Sequence, residues 1–307
     1  MSPIITLTFN PALDISTSVE SLLPEKKLKC AEPVIEAGGG GINVARAITN
    51  LGGKAIAVYP FGGDAGRRIT RLLTAASVDV KPVKVRAATR QNLIITDRAT
   101  GSQYLFDMPG ERLDEPAYYN CLKIICELPD WNYLVVSGSL PADYPAELFQ
   151  GLAEAARNRK AKLIVDTAGL PLRQAITAGA FLIKPNLKEL AFLAGSGTLK
   201  AHGAKAAAQQ LLEHSNCEVI VVSMGSEGAL LVTKDISMEV RPPSVSTLST
   251  VGAGDSLVAG LVLYLAQGKS IAEAIKYGVA CGTAATICPG AELCRKTDAD
   301  RLFHLIV

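Results

Sequence analysis

Residues 133–223 carry four short apolar runs, Tyr133-Leu-Val-Val-Ser137, Leu163-Ile-Val-Asp166, Phe181-Leu-Ile-Lys184 and Val219-Ile-Val-Val-Ser223, with helical patterns between them. Each run is apolar almost end to end, which marks a strand buried on both faces. The spacing predicts helices around 115–127, 146–160, 187–194 and 200–213. The same rhythm begins at the N-terminus. Ile4–Phe9 reads as a strand, Ile42–Leu51 as a helix stopped by Gly52-Gly53, and Ala55–Tyr59 as a strand. A Gly62-Gly63-Asp64 loop then leads into a helix reaching about Ala76. Such strands alternating with helices build an α/β fold with a mostly parallel central sheet covered on both faces. Ligands of such sheets bind outside the carboxyl ends of the strands, so chemistry is expected just after strands.

Two segments break the rhythm. Ile15–Ala37 contains two extended pieces, and Arg90–Asp107 reads as a hairpin of Gln91–Asp97, a turn at Ala99-Thr100-Gly101, and Gln103–Asp107. Neither has a helix or can bury two faces against the main sheet. They read as insertions able to pair into a small separate sheet, or equally as two ordinary surface hairpins. The division is a main domain of 1–14, 38–88 and 109–307, and a second unit of 15–37 and 89–108.

The chain has 307 residues, 49% hydrophobic and 20% charged, a balance too apolar for disorder. With 31 basic and 29 acidic side chains the net charge is +2, which offers no basic footprint for nucleic acid. Met1–Asn10 lacks the positive charge of a signal peptide. The longest uncharged stretches, Ser256–Gly268 and Tyr277–Ala291, fall short of the ~18 apolar residues of a membrane span. Seven cysteines, an odd number with no CxxC pair, point to reduced thiols and a cytoplasmic protein. The scattered His202, His214 and His304 argue against structural zinc and a histidine-based triad.

The strongest local signal is Thr250-Val-Gly-Ala-Gly-Asp255, followed by an apolar helix from Ser256 to about Gln267. Gly252 and Gly254 leave amide N–H groups unmasked at a helix N-terminus, where unsatisfied donors and the positive dipole end favour an anion. Asp255 sets a carboxylate beside them. The helix end is expected to keep it ionised, ready to take a proton from a hydroxyl. An anion hole and a base within one turn suit phosphoryl transfer, although an Asp near a helix start after a Gly turn is also ordinary capping. Gly38-Gly-Gly-Gly41-Ile-Asn43-Val-Ala-Arg46 is the second signal. Four glycines cost backbone entropy, which close approach of a ligand to the main chain would explain. Asn43 offers a donor and acceptors to a sugar hydroxyl. In Lys184-Pro-Asn186-Leu-Lys-Glu189, Asn186 and Glu189 present oxygens suited to Mg²⁺, or simply start a helix. Ser223-Met-Gly225-Ser-Glu-Gly228 is either a hairpin turn or a main-chain seat for a nucleotide. No Walker A loop, GxGxxG after the first strand, or protein-kinase pattern occurs.

Together the segments GGGGINVAR, KPNLKEL, SMGSEG and TVGAGDS, in this order over the whole chain, resemble the ribokinase-like carbohydrate kinase family, also called the PfkB family. TLTFNPALD (6–14), PEKKLKC (24–30), TRQN (89–92), MPG (108–110) and SGSLP (137–141) are similar to its phosphosugar branch. The resemblance implies a three-layer ribokinase-like sandwich and an ATP- and Mg²⁺-dependent kinase of fructose 6-phosphate acting at the 1-hydroxyl. Fructose 1-phosphate and tagatose 6-phosphate are the alternatives. It implies that Asp14, Asn43 and the Gly39, Gly40 and Gly41 backbone hold the sugar, that Arg90, Ser139 and Lys27 surround its phosphate, and that Asp255 is the base. The Gly252, Ala253 and Gly254 turn would hold the γ-phosphoryl group. Lys184, Asn186, Ser223, Gly225 and Gly228 would contact ATP, with Mg²⁺ near Asn186 and Glu189. Carbonyls of Ser249, Val251, Ala285 and Gly290 are candidate K⁺ ligands, though Cys288-Pro289 and Glu292 depart from the family pattern there. The second unit becomes a lid over the sugar, pairing with its copy in a homodimer through Leu93, Ile95, Leu105 and Val34. The rival reading is a non-catalytic sugar-phosphate or nucleotide sensor, which would have lost the base or the anion hole; Asp255, Gly252 and Gly254 are all present.

Overall fold

The computed structural model describes residues 2–141 and 143–306. The chain lays down β1 (Ile4–Leu7), β2 (Ala12–Val19), β3 (Val34–Gly38), α1 (Gly40–Asn50), β4 (Ala55–Phe61), α2 (Gly63–Ala75) and β5 (Asp79–Lys84). A hairpin of β6 (Arg90–Asp97) and β7 (Gln103–Phe106) precedes α3 (Glu115–Glu127), β8 (Tyr133–Ser137), α4 (Leu148–Asn158), β9 (Lys162–Asp166) and α5 (Gly169–Ala178). Next come β10 (Leu182–Ile183), α6 (Leu187–Leu193), α7 (Ala201–Glu213), β11 (Val219–Ser223), β12 (Ala229–Val232) and β13 (Ser237–Val240). The chain closes with α8 (Ala253–Ala266), α9 (Ile271–Thr286) and α10 (Lys296–Phe303).

The large sheet runs β13-β12-β11-β10-β9-β8-β1-β4-β5, parallel from β11 to β5 and antiparallel at the β12–β13 edge. Successive side chains explain the apolar runs. Ile4, Val135, Val219 and Val221 enter a core shared with α1, α2, α8, α9 and α10. Their neighbours Ile5, Leu134, Val136, Ile220 and Val222 enter a second core with α3 to α7. Both faces are dry, so neither can be polar, and the molecule is a three-layer sandwich. β5 (DVKPVK) went unread in the sequence because an edge strand alternates in burial and tolerates Pro82 and its lysines.

The small sheet runs β3-β2-β6-β7, with β2 and β6 parallel. Its first strand starts at Ala12, where Ala12 pairs with both Gly38 and Arg90. Asp14 therefore lies in the small sheet rather than at the end of the main domain, and β3 runs on to Gly38. The strand order turns at β1. From there the chain moves outward to β4 and β5 on one side and to β8 through β11 on the other, leaving a crevice above the ends of β1 and β8.

Candidate active site

The crevice is closely packed. After β1, Asn10 Nδ2 donates to Ser139 Oγ, just after β8, at 3.0 Å. The glycines ahead of α1 press against their own chain. A Cβ on Gly38 would lie 2.0 Å from Asp14 Oδ2, one on Gly40 2.4 Å from Ser137 Oγ, and one on Gly41 2.6 Å from the Leu7 carbonyl. The run is glycine because the strand ends approach it, not only because a ligand would. Asp14 is buried and accepts from Asn92 Nδ2 at 2.9 Å. Burial pushes its carboxyl up, with Asn92, Arg90 and Arg46 pulling it back.

α8 begins at Gly252, whose φ of 73° is left-handed and whose Cβ would meet Leu293 Cδ2 at 2.6 Å. Glycine is the residue that fits there. No side chain caps this helix; the Ala253 N–H makes only a long 3.4 Å bond to the Thr250 carbonyl, and the amides that follow stay open to an anion. Asp255, in the first turn, accepts from Asn43 Nδ2 at 2.9 Å, which joins the α1 motif to the α8 motif. The sequence expectation for its charge needs correcting. Burial, then Asp166, pushes the carboxyl up from 3.8 to about 6, against the pull of Asn43 and Lys184. Desolvation outweighs the helix end, leaving a base that titrates just below neutrality.

Lys184 is buried and pairs with Asp166 at 3.1 Å. Burial alone would lower its pKa, but the Asp166 carboxylate outweighs this and the net direction is up, so the ammonium stays charged. It stands beside the α8 turn, 3.8 Å from where a Gly254 Cβ would be. Asp166, which pairs with Lys184 and raises the Asp255 carboxyl, is the side chain of this corner that the sequence reading passed over. The signal was its place, an acidic residue ending an apolar strand at the ligand side of a parallel sheet.

Asn186 is the N-cap of α6, not a residue on its face. Asn186 Oδ1 accepts the Glu189 N–H at 2.9 Å and Glu189 Oε2 accepts the Asn186 N–H at 2.8 Å, a closed capping box. The single side-chain oxygen of Asn186 and one of the two Glu189 oxygens are thus already engaged. Burial raises the Glu189 carboxyl, with the Asn186 N–H and Lys184 opposing. Ser223, Gly225 and Gly228 form the β11–β12 hairpin turn and also line a cavity of about 510 Å³ with Thr250, Ala253 and Gly254. The hairpin-turn reading of that segment holds, and the turn borders this cavity. A depression of about 1100 Å³ lies at the opposite ends of the strands by Tyr133, Lys162, Phe181 and Val219, where parallel sheets do not bind ligands.

Arg90 is not an exposed hairpin arginine. Its side chain is 9% exposed, donating to Asp107, to the Met108 carbonyl at 2.9 Å and to the Asn10 carbonyl at 3.4 Å, while its Nε has no partner. It therefore joins Asn10 and Ser139. Lys27 is exposed in the loop between β2 and β3, and among the described residues no hydrogen bond or ion pair ties it to this group. Ser249 Oγ donates to the Gly290 carbonyl at 2.6 Å and lies 3.1 Å from Gln103 Oε1 on β7, bringing the small sheet against the loop before α8. Val251 N–H donates to Ser249 Oγ at 3.2 Å, and the Ala285 carbonyl accepts the Cys288 N–H at 3.1 Å. Glu292 makes a two-point pair with Arg295.

Open helix amides, a half-buried carboxylate in the first turn, a lysine beside them and a cavity of small-molecule size define a site for transferring a phosphoryl group to an alcohol. Residues 9–298 match the pfkB family carbohydrate kinase, and the chain belongs to that family. It is 41% identical over 304 residues to the ATP-dependent 6-phosphofructokinase isozyme 2 of Escherichia coli, covering 99% of this chain and 98% of that one. Solved structures of the Escherichia coli phosphofructokinase-2 superpose closely at 40% identity, each comparison covering 99% of both chains. The complex with fructose-6-phosphate gives a TM-score of 0.93 and the complex with potassium 0.94. A 1-phosphofructokinase of Borreliella burgdorferi is 31% identical over 300 residues, 97% of this chain and 96% of that one.

Proposed function

We propose that the protein transfers the γ-phosphoryl group of ATP to the 1-hydroxyl of fructose 6-phosphate, giving fructose 1,6-bisphosphate and ADP in the cytoplasm. The observation that carries this reading is the Asn43–Asp255 hydrogen bond, which sets the sugar-holding motif against the base and the anion hole. Asp14, Asn43 and the Gly39–Gly41 backbone hold the sugar hydroxyls. Asp255 takes the proton of the attacking hydroxyl as the amides of the Gly252, Ala253 and Gly254 turn, with Lys184, receive the growing negative charge. Arg90 and Ser139, with Lys27 swinging in from its loop, grip the sugar's phosphate, and Asn186, Ser223, Gly225 and Gly228 contact ATP.

Among the described residues no three His, Cys, Asp or Glu side chains group to cage a metal. That suits Mg²⁺, which arrives on nucleotide phosphates and keeps several waters. Glu189 and Asn186 would hold it through water, and the ion would offset charge on the β- and γ-phosphates. Potassium binding at the Ser249, Val251, Ala285 and Gly290 carbonyls belongs to the same reading, as does a homodimer joined through the small sheets.

The test is kcat/KM with ATP for fructose 6-phosphate, fructose 1-phosphate, tagatose 6-phosphate and unphosphorylated fructose. The highest value on fructose 6-phosphate is expected. The 1-phosphofructokinase likeness favours fructose 1-phosphate as the second reading, and preference for it would replace the first. Preference for fructose itself would overturn both. Binding of sugar phosphate without turnover would revive the sensor.

A further inference from the structure

Arg46 lies three residues beyond Asn43 on α1, on the same helix face, and touches neither the cavity nor Asp255. Its Nη1 donates to the Ala37 carbonyl at 2.7 Å and lies 3.4 Å from Asn43 Oδ1, and its Nη2 donates to Glu36 Oε1 at 2.6 Å. The Arg46 and Glu36 side chains are only 17% and 16% exposed, so this is a largely buried pair between α1 and β3. We infer that Arg46 is a positioning residue that fixes which end of the Asn43 amide faces Asp255, and thereby keeps that carboxylate free to accept a proton.

The two ends of an amide are nearly the same shape, so their hydrogen-bond partners decide how it sits. A guanidinium has donors and no acceptor, so the end of Asn43 facing it must be oxygen. The NH₂ end is then left to donate to Asp255 Oδ2. With the amide flipped, its oxygen would face the carboxylate, an arrangement satisfied only when Asp255 carries a proton and so cannot act as base. Arg46 disfavours that state because the flip would turn an NH₂ group toward the guanidinium. The groups facing Asp255 from its surroundings are Asp166 at the end of β9, Lys184 after β10, Asp14 on β2 and Asn43 itself. Glu36 pairs across the strands with Asp14, so the Arg46 charge also offsets a carboxylate beside the sugar site.

The inference rests on Asp255 being the base. It is tested by the pH profile of kcat/KM for the parent, for Arg46→Gln, and for the double variant Glu36→Gln/Arg46→Met, which removes the buried pair together and so protects folding. The expected result in both is an acid limb displaced upward by about one pH unit, so that the deficit approaches tenfold below the limb and fades above it. A deficit equal at every pH, with the limb unmoved, would show only a structural role and overturn the inference. So would a shift in Arg46→Gln absent from the double variant, which would trace the effect to the unpaired Glu36 charge. Asp255→Asn in the same assay separates the two claims. If it keeps activity within threefold, the base assignment falls and takes Arg46 with it. If it is inactive while the Arg46 variants show no shift, this inference alone fails.

Discussion

Asp255 must be ionised to accept a proton, yet burial and the neighbouring Asp166 hold its carboxyl near 6. A raised acid loses its base form as pH falls, so kcat/KM is expected to drop about tenfold per pH unit below that point. A profile flat to pH 4.5 would contradict this. Asp255→Asn should lower kcat by ~10²–10⁴-fold while the affinity for ATP stays close to the parent's. The place of Asp255 in the first turn of a helix entered through Gly252 was legible because its motif is contiguous. Its titration was not, because Asp166 and Lys184 come from distant strand ends. Arg90→Ala should raise the KM for fructose 6-phosphate roughly 10–150-fold, from the loss of charge-assisted bonds worth ~1.5–3 kcal/mol at ~1.4 kcal/mol per decade. The KM for ATP should change little. Since Arg90 is buried against Asp107 and Met108, Arg90→Lys is needed beside it. The lysine variant keeps a charge but not the fork, and should recover only part of the affinity. Equal weakening of ATP and sugar phosphate would remove Arg90 from the phosphate grip.

At the level of the element, two helix starts lead to different expectations. α8 begins uncapped at a left-handed glycine, whereas α6 begins with a closed capping box. Helix starts without caps leave donors unsatisfied, which is costly unless something binds there. α8 thus gives up stability where α6 does not, and the proposed phosphoryl site is at the former. The sequence marked the Gly-Ala-Gly-Asp start as an open anion site, but it did not show that Asn186 and Glu189 spend their polar atoms closing a capping box. Asn186→Ala should cost about 1 kcal/mol of stability through the lost cap. It should also raise the KM for MgATP, read by steady-state kinetics beside a thermal melt. A lower melting temperature with an unchanged KM would leave Asn186 as a cap and withdraw it from the nucleotide site.

For the whole molecule, the parallel core was legible because burial on both faces writes itself as unbroken apolar runs. The small sheet was legible only as extended pieces, since its strands mix polar and apolar residues rather than forming unbroken apolar runs. Pairing in register puts Asp14, Asn92, Glu36 and Gln103 on the face toward the main domain. The other face holds Ile15, Leu93 and Phe106 in one row and Thr17, Ile95 and Tyr104 in the next. Leu93 and Ile95 are half-buried rather than open, while Tyr104 and Phe106 are 40% and 43% exposed. Val34 and Leu105, expected to join Leu93 and Ile95 in one contact, pair with Ser16 and Ile94 and so lie on the opposite face, with Asp14 and Asn92. A sheet apolar on its outer face needs a cover, and a second copy of the same face supplies one with two-fold symmetry. Each such side chain buried in the contact contributes ~1.5–3 kcal/mol, enough for a few of them to hold a dimer at micromolar concentration. The parent is therefore expected to sediment as a dimer at that concentration, and the double variant Leu93→Asp/Phe106→Asp as a monomer with its main-domain fold intact by circular dichroism. Because the same strands carry Asp14 and Asn92 on their inner face, the monomer should show a raised KM for the sugar phosphate and little change for ATP. A parent that sediments as a stable monomer while fully active on fructose 6-phosphate would remove the dimer from the proposal. The outer face of the small sheet would then have to be stable in water uncovered.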